Sequence, residues 1–79
     1  MTDMTQIPVG EAALVRRINR RLHQRGQQMF KTRSHAATRD VGDWFVVDLR
    51  QSSVSDARIE LESYARKLEA LAHWERLAV

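Results

Sequence analysis

Between Glu11 and Arg25 the apolar residues Leu14, Val15, Ile18 and Leu22 are spaced so that all four share one side of a helix turning about 100° per residue. The spacing predicts an amphipathic helix. Its opposite side carries Arg16, Arg17 and Arg20, while Arg21 and Arg25 lie nearer the apolar stripe, where their aliphatic stems can rest. Gly26 offers the C-terminal cap.

Beyond Gly26 the period shortens to two. Gln28 to Arg33 alternates as a short strand, with Phe30 and Thr32 on one face and Met29, Lys31 and Arg33 on the other. The stretch SHAATRDVGD contains Asp40, Gly42 and Asp43 and reads as an exposed loop. A clearer strand follows in Trp44 to Arg50, rich in aromatic and β-branched residues. Phe45, Val47 and Leu49 share one of its faces, expected to pack under the helices, and Trp44, Val46, Asp48 and Arg50 share the other.

Ser53 to Ile59 could extend a following helix or return as a hairpin strand. On a helix Ile59 would project away from the stripe of Leu61, Tyr64, Ala65, Leu68, Leu71 and Ala72, so a return strand fits better, joined through Gln51 and Ser52. The second helix then starts near Glu60, where Glu60 and Glu62 favour the positive end of its dipole. Trp74 and Leu77 fall off the stripe. Either the chain bends near His73 and the tail folds over the core edge, or these residues face a partner. The expected fold is a two-layer α+β domain of order αβββα, a three-stranded antiparallel sheet with two helices packed on one face. Residues 10–79 form this single domain and residues 1–9 a flexible N-terminus.

Composition narrows the setting. The chain has 79 residues, 43% of them hydrophobic, and no cysteine, which excludes a disulfide framework and a thiolate metal site. A reducing cytoplasmic location is the expectation. The longest apolar run, Trp44 to Val47, is far short of the roughly 20 residues that span a bilayer, and MTDMTQIPVG lacks the pattern of a secretory signal, so no membrane partner is expected.

The net charge of +3 hides an asymmetry. Residues 1–39 hold eight basic and two acidic side chains, or +6, whereas residues 40–79 hold five and eight, or −3. Arg16, Arg17, Arg20, Arg21 and Arg25, followed by Lys31 and Arg33, are candidates for nucleic-acid phosphates; the alternative is a solvated face paired with the acidic half. Helix, three strands, helix resembles the double-stranded RNA-binding domain in topology and size. That family grips phosphates with lysines at the start of its second helix, where this chain has Glu60 and Glu62. Trp44 and Phe45, being adjacent, point to opposite faces and cannot share one base-stacking platform.

A resemblance over nearly the whole chain lies in LVRRINRRL, VGDWFVVDL and IELESYARKLEALAHWERL. Within these, Ile18-Asn19-Arg20, Gly42 with Trp44 and Phe45, Val47-Asp48, Glu60-Leu61-Glu62, Ala65-Arg66-Lys67-Leu68 and Trp74-Glu75 match the pattern of small proteobacterial proteins encoded on plasmids, prophages and integrative elements. The chain departs from that pattern at Glu60, where Asp is usual, and at Ala70, where Gly is usual, which leaves the end of the second helix open. The resemblance implies a mobile-element accessory protein and brings no activity with it.

Catalytic constellations are not evident. His23, His35 and His73 lack the paired spacing of a zinc site, and Asp40, Asp43 and Asp48 lack the grammar of a calcium loop. Gly10, Gly26 and Gly42 are too dispersed to cradle a phosphate. The expectation is a protein that is not an enzyme, with no catalytic or metal residues, no cofactor and no small-molecule substrate. Two functions remain: contact with nucleic acid or a nucleoprotein through the basic helix, or a dimeric protein-binding module or inhibitor using Trp44, Val46, Trp74 and Leu77.

Overall fold

The computed structural model describes residues 6–78, with the side chains of residues 35–37 excepted. In chain order the elements are β1 (Ile7–Val9), α1 (Glu11–His23), β2 (Gln27–Lys31), α2 (His35–Val41), β3 (Trp44–Asp48), β4 (Ser53–Asp56), α3 (Leu61–Lys67) and β5 (Glu75–Leu77). Strands β2, β3 and β4 form an antiparallel sheet, and β1 and β5 form a separate parallel pair. The molecule is therefore a small α+β domain. Among the described residues no helix is long and apolar enough to cross a membrane.

Helix α1 follows its apolar stripe: Leu14, Ile18 and Leu22 are buried, with Glu11 in the first turn and Arg20, Arg21 and His23 in the last, where the dipole favours each charge. Gly26, at φ 72, makes the left-handed turn into β2.

The sheet is oriented opposite to expectation. Met29 and Val46 are cross-strand partners and share one face, and both are buried, Val46 completely. Phe45 and Val47 lie half-buried on the other face, and Leu49 is 49% exposed. The run Trp44 to Val47 is apolar on both sides, so alternation alone cannot tell which side meets α1. Asn19 makes the choice: its Oδ1 accepts the Met29 N–H at 2.7 Å and its Nδ2 reaches the Met29 carbonyl at 3.5 Å. This seats α1 over β2 with Met29 beneath it.

The expected loop over residues 34–43 contains α2 instead. Thr38 donates both its N–H and its hydroxyl to the Ser34 carbonyl, and Gly42, at φ 77, donates to Thr38 as the helix stops. Asp40 lies inside this helix, and Gly42 and Asp43 follow it as the break before β3. The β3–β4 connection is wider than two residues, because Asp48 Oδ1 accepts the N–H groups of Arg50 at 2.9 Å and Gln51 at 3.2 Å. Strand β4 ends at Asp56 rather than Ile59, after a bulge opposite Val46 and Val47. Ile59 is nonetheless buried outside α3, and its N–H bonds the Trp44 carbonyl at 3.2 Å.

Helix α3 is shorter than its stripe. It ends at Lys67, and Glu69 turns left-handed at φ 60, the conformation Gly usually supplies at a helix end. Leu68, Ala70 and Leu71 are still buried, carried by the turn. The principal contacts of α3 are with α1 and β5, whereas α1 alone makes extensive contact with the sheet, through β2. Residues 7–9 of the expected flexible N-terminus form β1 and pair with β5, Ile7 opposite Glu75 and Val9 opposite Leu77. Residues 1–5 lie outside the described residues.

Candidate nucleic-acid interface

The arginines of α1 separate into two pairs. Arg17 donates to Glu75 Oε1 at 2.8 Å and reaches the Ala70 carbonyl at 3.4 Å; Arg21 donates to the Glu69 carbonyl at 3.2 Å. Arg66 adds bonds to the carbonyls of Ala72 at 3.2 Å and Glu75 at 2.7 Å, besides its ion pair with Glu62 at 3.1 Å. These acceptors lie in the turn that follows α3 and at the start of β5, where main-chain carbonyls outside a helix need partners of their own. The bond and charge of Arg17, with the Ala72 N–H, hold the Glu75 carboxyl below its ordinary range, and Glu75 raises Arg17 in return.

Arg16 and Arg20 are exposed on the outer side of α1 and have no ion-pair partner among the described residues. Arg20 joins Arg17, Arg21, Gln24, Glu69 and Ala70 around a groove of about 290 Å³ between α1 and the end of α3. Three cations and one carboxylate line it. Such a groove can receive an anionic oxygen, with Arg17 and Arg21 already oriented by their protein acceptors.

The other basic candidates are elsewhere. Arg25 lines a different hollow with Gln27, Asp56, Tyr64 and Lys67. Lys31 holds its ammonium 5.7 Å from the centre of the Trp44 ring, and Arg33 is exposed between β2 and α2. The structure thus gathers Arg16, Arg17, Arg20 and Arg21 and leaves Arg25, Lys31 and Arg33 apart from them.

The proposed protein-contact set does not form one surface. Val46 is completely buried, which removes it from any interface, because the face it occupies is the one α1 covers. Trp44 and Leu77 are partly buried against the core, the Leu77 N–H bonding Glu62 at 3.2 Å. Trp74 is 56% exposed, edge-on to His73 at 4.9 Å. The aromatic surface lies instead on the open side of the sheet, where Phe30 and Phe45 stack at 5.9 Å. Trp44 and Phe45 do point to opposite faces; the partner of Phe45 is its cross-strand neighbour, a pairing the sequence shows only once strand register is known.

Of the polar residues considered for metals, Asp48 serves its turn, His23 ends α1 and His73 lies in the turn before β5. The side chain of His35 lies outside the described residues. The fold and this surface define a small α+β domain with an arginine-lined groove. No family model, no curated protein and no solved structure matches the chain.

Proposed function

We propose that this chain is a non-enzymatic accessory or regulatory protein that contacts the phosphates of a nucleic acid or nucleoprotein through the outer face of α1. Arg16 and Arg20 make the first contacts and Arg17 and Arg21 flank them. The observation that carries the reading is the exposure of Arg16 and Arg20, which have no ion-pair partner among the described residues, beside two oriented neighbours. An exposed unpaired guanidinium meets a phosphate without first breaking an internal bond. In this reading α1 and α3 back the same Met29 and Val46 face of the sheet, consistent with Leu14, Ile18, Leu61 and Ala65 sharing one core cluster with those two residues. The resemblance to mobile-element proteins, carried by Ile18-Asn19-Arg20 among other motifs, fits an accessory role.

Fluorescence anisotropy with labelled duplex DNA, duplex RNA and single strands is the test. Binding is expected at about 50 mM salt and should weaken steeply as salt is raised. Arg16→Gln with Arg20→Gln should reduce affinity while leaving the unfolding midpoint unchanged. No binding to any of these at low salt overturns the reading.

A further inference from the structure

Three guanidinium groups, of Arg17, Arg20 and Arg21, line the groove between α1 and the turn after α3, against the single carboxylate of Glu69. Residues three and four apart on a helix are neighbours, with Cβ atoms about 5–6 Å apart, so the three long side chains reach a common point. Two of them also span the groove. Arg17 Nη1 donates to the Ala70 carbonyl at 3.4 Å and to Glu75 at 2.8 Å, and Arg21 Nη2 donates to the Glu69 carbonyl at 3.2 Å. Each of these bonds uses one terminal nitrogen, which leaves the other N–H groups of a held five-donor fork for a second acceptor. We infer that this groove takes a phosphomonoester, the terminal phosphate of a nucleic-acid strand. The inference rests on the contact proposed above between α1 and nucleic-acid phosphates and adds which phosphate enters the groove.

Charge favours an end over an internal linkage. Three cations less one carboxylate leave the groove with two positive charges. A phosphomonoester at neutral pH carries about −1.5 to −2 and three acceptor oxygens, one for each guanidinium, whereas a diester carries a single charge and two unesterified oxygens. A peptide carboxylate, with one charge and two oxygens, has the same shortfall. Glu69 acts in the same direction. An internal diester brings a phosphate on either side of it, and one of these meets the carboxylate; a terminal phosphate has a neighbour on one side only. Arg16, exposed one turn before Arg20 on the outer side of α1, is placed to receive that neighbour.

The test is anisotropy of one internally labelled single strand at about 100 mM salt, prepared with hydroxyls at both ends, with a 5′-phosphate or with a 3′-phosphate. A phosphorylated end should tighten binding about tenfold over the hydroxyl-ended strand, the gain expected of added charge-assisted hydrogen bonds. Arg21→Gln should remove most of that preference, while the hydroxyl-ended strand still binds through Arg16 and Arg20. Glu69→Gln should narrow the preference from the other side, by tightening the hydroxyl-ended strand. In the unmodified protein, the NMR signals of the Arg17, Arg20 and Arg21 Nε–H groups should shift together and further with the phosphorylated strand, a readout that stands even if a variant fails to fold. Equal affinity for the three strands overturns the inference and leaves contact of α1 with internal phosphates standing; no binding of any strand overturns both. A preference that survives Arg21→Gln in a folded protein also overturns it, because the end then sits elsewhere. Displacement of the phosphorylated strand by adenosine monophosphate or inorganic phosphate, at concentrations near the strand's own dissociation constant, would keep the groove as a phosphomonoester site and overturn the strand end as its source.

Discussion

Asn19 takes both outward main-chain groups of Met29, and the two bonds are unequal. At 2.7 Å the bond from the Met29 N–H is strong, whereas at 3.5 Å the one to its carbonyl is marginal. Asn19→Ala strands a part-buried N–H and is expected to cost about 1–3 kcal/mol in urea denaturation. Asn19→Asp keeps the acceptor and should lose less. A cost for Asn19→Ala below about 0.5 kcal/mol would show that water replaces the side chain. Gly42 and Gly26 form a second contrast at this scale. Both have positive φ, but a Cβ at Gly42 would lie 2.8 Å from the Arg58 Cα, whereas at Gly26 the nearest atom is the Arg50 Nε at 3.5 Å. Main chain cannot yield as a long side chain can. Gly26→Ala should cost about 1 kcal/mol, the strain of the left-handed conformation, and Gly42→Ala clearly more, measured as the shift in unfolding midpoint.

At the scale of elements, legibility depends on how much of the periodic signal is local. The stripe of α1 spans three turns and its burial follows the sequence directly. Strand β3 is legible as a strand but not in orientation, because four consecutive apolar residues leave both faces equivalent until Asn19 binds Met29. Helix α2 has no apolar stripe to announce it. The end of α3 is hidden because Leu68, Ala70 and Leu71 keep the spacing of a helix while the chain, turned at Glu69, buries them differently. Strands β1 and β5 are three residues each and pair across almost the full chain, which no local pattern encodes. The candidate arginines are visible in sequence, but their acceptors are the carboxylate of distant Glu75 and the backbone carbonyls of the turn after α3, which no local pattern announces. This junction of α1, α3 and β5 has a pH dependence. Arg17 and the Ala72 N–H lower Glu75, and Arg66 and the Leu77 N–H lower Glu62, each from an ordinary 4.5. A carboxyl depressed in the folded state contributes stability that is complete above its unfolded pKa and is lost as pH falls through the folded one. Thermal unfolding midpoints should therefore fall as pH drops below about 4.5, and Glu75→Gln should flatten the fall. An equally steep fall in that variant would place the sensitivity elsewhere.

Across the whole molecule, the +6 half and the −3 half do not remain apart. Arg17 crosses to Glu75, and Arg21 to the Glu69 carbonyl, so part of the basic helix is spent joining the two halves. The phosphate-binding capacity is correspondingly smaller than the sequence count, and salt titration measures it. Each phosphate neutralised on duplex DNA contributes about −0.9 to the slope of log K against log salt. All seven basic candidates acting together would give a slope near −6, whereas contact through the four clustered on α1 gives at most about −4, and the exposed Arg16 and Arg20 alone about −2. A slope between about −2 and −4 is expected, and Arg16→Gln with Arg20→Gln should lower it by about 2 while Arg25→Gln and Arg33→Gln leave it nearly unchanged. Arg17→Gln should act differently from all of these, because removing it leaves Glu75 without its cation, so the unfolding midpoint should drop together with the affinity. A slope near −6 that falls equally with every substitution would instead describe a diffuse cationic surface, in which the division of α1 into structural and free arginines plays no part in binding.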